Sequence, residues 1–334
     1  DLKLPGIAFI SSTKRFYKMA SLAPYIIGYA KKNDDGKIVG EMGVESYYND
    51  TLTGTDGQTE YQIDNYGYKL PNSPENTTPA ESGDDIYLTI DSNIQLFLEQ
   101  SLSELTANYQ MSWLTFTVAD AKSGAILASA SNPTFNLNEL NITNYLNPLT
   151  SYQYEPGSTM KIYSFMAAME NKVYNGSDTY QSGTIQVDDA TIKDFNGVGW
   201  GTITYDEGFA YSSNVAATKL GLSLGRDRLK EFYEKLGFGA KTNITLPGEL
   251  SGDIDFNYKT EVATASFGQG ITTTPIQNIQ ALTTIANNGT ELQPYIISKI
   301  VDHDTGKVKY EASRTELQNV ASSETISKLQ SLMY

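Results

Sequence analysis

The chain has 334 residues, 40% of them hydrophobic, with 24 lysines and arginines against 39 acids and a net charge of −15. That length allows about two domains, and the apolar fraction excludes global disorder. The acidic balance argues against a nucleic-acid backbone or an anionic membrane surface as the main partner. There is no cysteine and a single histidine, His303. Disulfides, thiolate metal sites and cysteine nucleophiles are therefore excluded, and a Ser-His or multi-histidine site would have to pass through one residue. Chemistry here must use hydroxyls, amines, carboxylates and amides.

No stretch approaches the ~20 apolar residues of a membrane span, and no secretory signal opens the chain. It enters directly on a strand-like run, Gly6-Ile7-Ala8-Phe9-Ile10, so the N-terminus reads as cut. Residues 1–85 are otherwise irregular and rich in glycine, tyrosine, asparagine and threonine. Asn33-Asp34-Asp35-Gly36 fits a hairpin turn and lacks the spaced ligands of a calcium loop. Asn72 to Asp85 is the best linker candidate, because proline, glycine and small polar residues cluster there without periodicity. Beyond it, Ile86 to Ile90 reads as a strand, and Asp91 or Ser92 caps an amphipathic helix through Leu96, Leu98, Leu102 and Leu105. Leu114 to Ser131 reads as a β-hairpin turning at Asp120 to Gly124.

A helix is expected from Ser158 to about Asn171. Others fit Ser213 to Leu224, Asp227 to Leu236 closed by Gly237, and Pro275 to Asn288 closed by Gly289. Asp302-His303-Asp304-Thr305-Gly306 is a second hairpin turn, which makes His303 an exposed turn residue. Ser322 to Tyr334 forms a last amphipathic helix with Ile326, Leu329 and Met333 on one face, and nothing terminates it. The chain reads as a fragment. Strands and helices mix without regular βα alternation, which predicts an α+β fold. No internal repeat is present.

Ser158-Thr159-Met160-Lys161 is the first place where chemistry gathers. Glu155-Pro156-Gly157 sets Ser158 at a helix start, and Lys161 follows one turn later on the same face. Ile162, Phe165, Met166 and Met169 turn that helix into a core, so the lysine is desolvated, its pKa falls, and it can serve as the base that activates serine. With 29 serines and 20 lysines, chance alone gives roughly two Ser-x-x-Lys matches. The other match is Ser11 with Lys14, in a basic stretch with no capped helix after it. Ser212-Ser213-Asn214 is the only Ser-x-Asn. It is either a plain helix cap or a proton-relaying hydroxyl with an amide that binds a substrate carbonyl. Gly197-x-Gly199-x-Gly201 is not a dinucleotide fingerprint, and no residues have the pattern of a metal site or a cofactor site.

Taken together and in order, Tyr154-Glu155-Pro156-Gly157-Ser158-Thr159-Met160-Lys161 and Tyr211-Ser212-Ser213-Asn214 resemble the transpeptidase domain of penicillin-binding proteins, whose serine-lysine signature they carry. The likeness extends to GDDIYLTI from Gly83 to Ile90, AILASASNP from Ala125 to Pro133, and Ser266-Phe267-Gly268-Gln269-Gly270. It extends again to Thr274-Pro275-Ile276-Gln277 and Ile285-Ala286-Asn287-Asn288-Gly289. Upstream, Gly40-Glu41-Met42-Gly43-Val44-Glu45 with Tyr48 and Leu52-Thr53-Gly54 resembles the pedestal domain of class B members. STKRFY, from Ser12 to Tyr17, resembles the division-type enzymes of Gram-positive bacteria most. The resemblance implies a serine-acyltransferase fold, a sheet covered by helices, at 86–334. A partial pedestal, or dimerisation-like, domain and linker would occupy 1–85. The family's Lys-Thr/Ser-Gly motif is absent and would be expected beyond Tyr334, which would leave a truncated chain poorly active; Lys241-Thr242-Asn243 is a decoy.

What the resemblance implies is a peptidoglycan D,D-transpeptidase. Ser158 would attack a stem peptide ending in D-alanyl-D-alanine, or a β-lactam in its place, and Lys161 would take the proton. Ser212 would relay it, and Asn214 would orient the donor. No cofactor, metal or nucleic acid is implied. The implied setting is the outer face of a cell membrane, with an N-terminal span outside this chain and a membrane glycan polymerase of the divisome or elongasome as partner. A β-lactamase and a non-catalytic β-lactam sensor or wall scaffold share the fold. The first would need a glutamate-activated water, and no Glu-x-x-Leu-Asn follows Ser212; Glu139-Leu140-Asn141 has the wrong place and spacing.

Overall fold

The structure, a computed structural model, describes residues 13–334. The strand read at Gly6 to Ile10 and Ser11 of the alternative pair lie outside the described residues. The chain forms two compact units, neither continuous in sequence. The first takes in residues up to Tyr87 with Pro133–Tyr145 and Lys299–Glu311, and the second Leu88–Asn132, Leu146–Ser298 and Ala312–Tyr334.

The first unit is built from short elements around a small core of Tyr25, Tyr29, Met42, Phe135 and Leu137. Its polar anchor is Glu45, whose two oxygens receive the Arg15 guanidinium at 2.7 and 2.8 Å. Tyr17 donates its hydroxyl to the same carboxylate and accepts the Ala30 N–H. A two-oxygen guanidinium pair is the geometry that best offsets the desolvation of a buried carboxylate. Both expected turns are present: Ala30–Lys32 pairs with Ile38–Gly40, and Val301 pairs with Val308 around His303. The stretch read as a linker instead contributes a strand, Glu75–Thr78, which pairs with Gln58–Tyr61. Both strands are exposed throughout, so they carry no apolar alternation for a sequence reading to detect.

The second unit is α+β, as expected. Leu114–Ala119 and Ile126–Asn132 form the antiparallel hairpin, and Asp120 closes its turn by accepting from the N–H groups of Lys122 and Ser123. The helix Ser92–Asn108 is capped by Asp91, which accepts from Asn93 and Ile94 N–H at 2.8 and 3.0 Å. It buries Leu98 and Leu102 but leaves Leu96 48% exposed. In place of a leucine, the buried Gln95 joins helix to strand, exchanging two bonds with the Ser129 backbone at 2.7 and 2.9 Å.

Helices make the larger core. Met160–Glu170 packs against Asn214–Leu224, Arg226–Lys235 and the last helix, Ser323–Leu332. Met160, Phe165, Met166, Ala217, Leu220 and Leu329 are almost wholly buried where they meet. Of the apolar stripe expected on the last helix, Ile326 and Leu329 are buried while Met333 is 49% exposed. Asn214–Leu224 also lies close against Lys259–Ala265. Gly221 permits that approach, since a Cβ there would stand 1.8 Å from Ser266 Oγ and 2.9 Å from Ser266 Cβ. Gly221→Ala is therefore expected to lower stability by about 1–3 kcal/mol through overpacking. Denaturant unfolding should show the midpoint falling with the slope unchanged; an unmoved midpoint would mean that the two helices can part freely.

Candidate active site

Gly157–Thr159 is one turn of 3-10 helix that runs straight into the α-helix Met160–Glu170. Lys161 is the second residue of that α-helix and follows Ser158 by three, a spacing that sets the two on one helix face. Ser158 itself is exposed. Lys161 is only 5% exposed and sends its amine to Ser158 Oγ at 3.1 Å, Ser212 O at 2.5 Å and Ser212 Oγ at 3.0 Å. The structure thus brings together both hydroxyls that the sequence singled out, 54 residues apart, on one amine. Burial lowers the Lys161 pKa from its ordinary value to about 8, although the negative charge of Asp194 works in the opposite direction.

Ser212 reaches the amine because its backbone is left-handed, with φ 55°. For a residue with a Cβ this costs about 1–2 kcal/mol. The conformation aims its carbonyl and its hydroxyl at one point, and its N–H is held by Phe209 O at 2.9 Å. The capping role belongs to the middle residue of the motif. Ser213, fully buried, accepts from Ala216 N–H and starts the helix Asn214–Leu224. Asn214 donates to Lys193 O at 2.8 Å. An amide nitrogen has two hydrogens, so one N–H and the side-chain oxygen stay available to a ligand.

Asp194 is the residue that the sequence reading missed. It is 2% exposed and lies three residues before the rejected Gly197-x-Gly199-x-Gly201 motif. One oxygen accepts from the Ser213 hydroxyl at 2.8 Å and Val215 N–H at 3.0 Å, and the other from Gly183 N–H at 2.7 Å. It pins the Ser-Ser-Asn turn from behind and is the negative charge that Lys161 senses. Its partners are distant in sequence and two of the three are backbone groups, so no spacing or periodicity marks it.

The rejected candidates are occupied otherwise. Thr242 of the decoy is buried and bound through N–H and hydroxyl to Glu249 Oε1, both at 2.6 Å, and it lies outside any strand. His303 is an exposed turn residue 3.1 Å from Asp85, which raises its pKa. Lys14 is exposed. Among the described residues there is no cluster of His, Asp or Glu able to hold a metal, and no helix long and apolar enough to cross a membrane.

Asp194→Asn retains the shape of the side chain but replaces an acceptor oxygen with a donor against three donors. The expected loss is about 2–3 kcal/mol, as for a buried charged hydrogen-bond partner removed. Thermal and denaturant unfolding would measure it, and an unchanged stability would show that the carboxylate does not hold the turn.

Residues 114–334 match the penicillin binding protein transpeptidase domain, and residues 1–88 match the penicillin-binding protein dimerisation domain. Stage V sporulation protein D of Bacillus subtilis is 33% identical over 97% of this chain and 51% of its own length. Peptidoglycan D,D-transpeptidase FtsI of Buchnera aphidicola is 31% identical over 90% and 52%. The crystal structure of penicillin binding protein 2X from Streptococcus thermophilus superposes with a TM-score of 0.84 at 34% identity, covering 96% of this chain and 49% of that one. Penicillin binding protein 3 of Mycobacterium tuberculosis, complexed with ampicillin, gives 0.80 at 27% identity, over 95% and 67%. The chain spans about half the length of the curated relatives that it matches. The serine-lysine turn, the second serine on the same amine and the matched domains agree: the chain belongs to the penicillin-binding protein transpeptidase family.

Proposed function

We propose that the protein carrying this chain is a serine-type peptidoglycan D,D-transpeptidase, with Ser158 as its acylated residue. The observation that carries the proposal is the single buried amine of Lys161 within hydrogen-bond reach of both the Ser158 and Ser212 hydroxyls. Ser158 Oγ attacks the carbonyl carbon between two terminal D-alanines, and its proton passes to the neutral Lys161 amine. The backbone N–H of Ser158 serves as one donor to the oxyanion. The proton then travels through the Ser212 hydroxyl to the departing D-alanine amine, and an ester on Ser158 remains. An amine from a second stem peptide attacks that ester, releases Ser158 and forms the cross-link. Asn214 holds the donor peptide through its free amide groups. A β-lactam enters the same sequence and stays attached, because its leaving amine is tethered.

This reading divides the chain into a pedestal-like region with its linker at 1–85 and the transpeptidase domain at 86–334. It places the catalytic domain outside the cell, held by a membrane span that precedes this chain. Complexes of the Mycobacterium tuberculosis relative with ampicillin and aztreonam support β-lactams as ligands, and the transpeptidase names of relatives support stem peptides as substrates. A membrane glycan polymerase is the partner class that such an anchored enzyme would serve.

Peptide mapping after penicillin treatment of the full-length protein should place the adduct on the Ser158 peptide, and the label should persist. An adduct elsewhere would overturn the assignment, and rapid loss of label would indicate a β-lactamase. Only neutral Lys161 can accept the proton. The acylation rate should therefore rise about tenfold per pH unit below pH 8 and level off above it. In Asp194→Asn the midpoint should move lower, since an opposing negative charge is gone. Lys161→Arg should abolish labelling, because a guanidinium cannot give up its proton. A flat pH profile, or normal labelling in the arginine variant, would contradict the base role.

A further inference from the structure

The turn that carries Ser158 has little structure of its own. Gly157 is left-handed, with φ 59°, and a single 3-10 turn follows. Its backbone is tied from outside to the segment 268–273. Tyr154 and Thr273 exchange both backbone bonds at 3.0 Å, and Gly157 N–H reaches Gly268 O at 3.0 Å. Gly268 lies so close that a Cβ there would stand 2.2 Å from Gly157 O. A further tie to that segment is a side chain. Glu155 Oε1 accepts Gly270 N–H at 2.8 Å.

The 268–270 segment is itself the C-terminal cap of the helix Lys259–Ala265, with Gly268 N–H on Ala265 O and Gln269 N–H on Thr264 O. That helix meets the helix of the Ser-Ser-Asn motif at Gly221 and Ser266. A continuous path of contacts therefore runs from Ser158 through Glu155 and Gly270 to the helix that begins at Asn214, directly after Ser212 and Ser213. We infer that Glu155 is a positioning residue: its carboxylate clamps the nucleophile turn onto 268–270 and so sets the separation of the Ser158 and Ser212 hydroxyls across Lys161. The inference rests on the acyl-serine reading for its catalytic consequence, but the clamp itself can be tested without catalysis. Its action is geometric. Glutamine, whose side-chain oxygen accepts the same N–H, should serve almost as well as glutamate.

The test compares Glu155→Ala and Glu155→Gln in the full-length protein, using hydrogen exchange of the 266–272 peptide and the second-order rate of acylation by benzylpenicillin. In the alanine variant the Gly268–Gly270 amides should exchange faster, and acylation should fall roughly 10–100-fold, as small misplacements of reacting groups do. The midpoint of its pH profile should stay in place. The glutamine variant should restore protection and return the rate to within ~3-fold of the parent, a difference smaller than the value of one hydrogen bond. Unchanged exchange in the alanine variant would overturn the clamp. A glutamine variant as impaired as alanine, with an altered pH profile, would overturn a geometric role and assign the charge to the reaction. Were the parent protein not labelled at all, the acyl-serine reading would fall, and the exchange comparison would still decide the clamp.

Discussion

The site depends on one amine held out of water among hydroxyls. Lys161 is almost fully buried, yet its contacts are two serine hydroxyls and one carbonyl, with Asp194 acting at longer range. A contacting carboxylate would fix the proton on lysine, and a wholly apolar pocket would remove it. Hydroxyls and a carbonyl do neither, so the amine can hold and release a proton near neutral pH. The fold bears the cost of the protonated amine in full below pH 8. It sheds that cost as pH rises from about 8 toward the ordinary lysine value, because the unfolded chain binds the extra proton across that window.

Much of the surrounding structure reads as support for that placement. The helix start sets Lys161 on the same face as Ser158, and the left-handed Ser212 brings its hydroxyl to the same amine. The cap of the second motif is delegated to Ser213, which leaves Ser212 to the Lys161 amine and Asn214 with one free N–H. Asp194 ties that cap down, and Gly221 lets the helix behind it approach its neighbour. Among these features the left-handed Ser212 is the strained backbone position, and it stands where strain can be useful.

What the sequence made legible follows from which signals are local. The Ser158 helix, the helix from Ser213, the hairpin turning at Asp120 and both candidate serines were readable because caps, turns and apolar periodicity lie within a few residues. The strand Glu75–Thr78 was not, because an exposed strand lacks alternation and looks like a linker. Apolar periodicity points to Leu96 and passes over Gln95, because a buried amide satisfied by a strand backbone has no signature in a helix pattern. Asp194 stayed hidden for a similar reason. Its worth lies in three donors that only the fold assembles.

Burial implies a lowered Lys161 pKa in the resting protein. It can be measured directly by following the side-chain carbon next to the Lys161 amine by NMR through a pH titration, with Lys161→Arg supplying the assignment. A midpoint near 8 is expected for this lysine. A Lys161 midpoint at the ordinary lysine value of about 10.4 would contradict it.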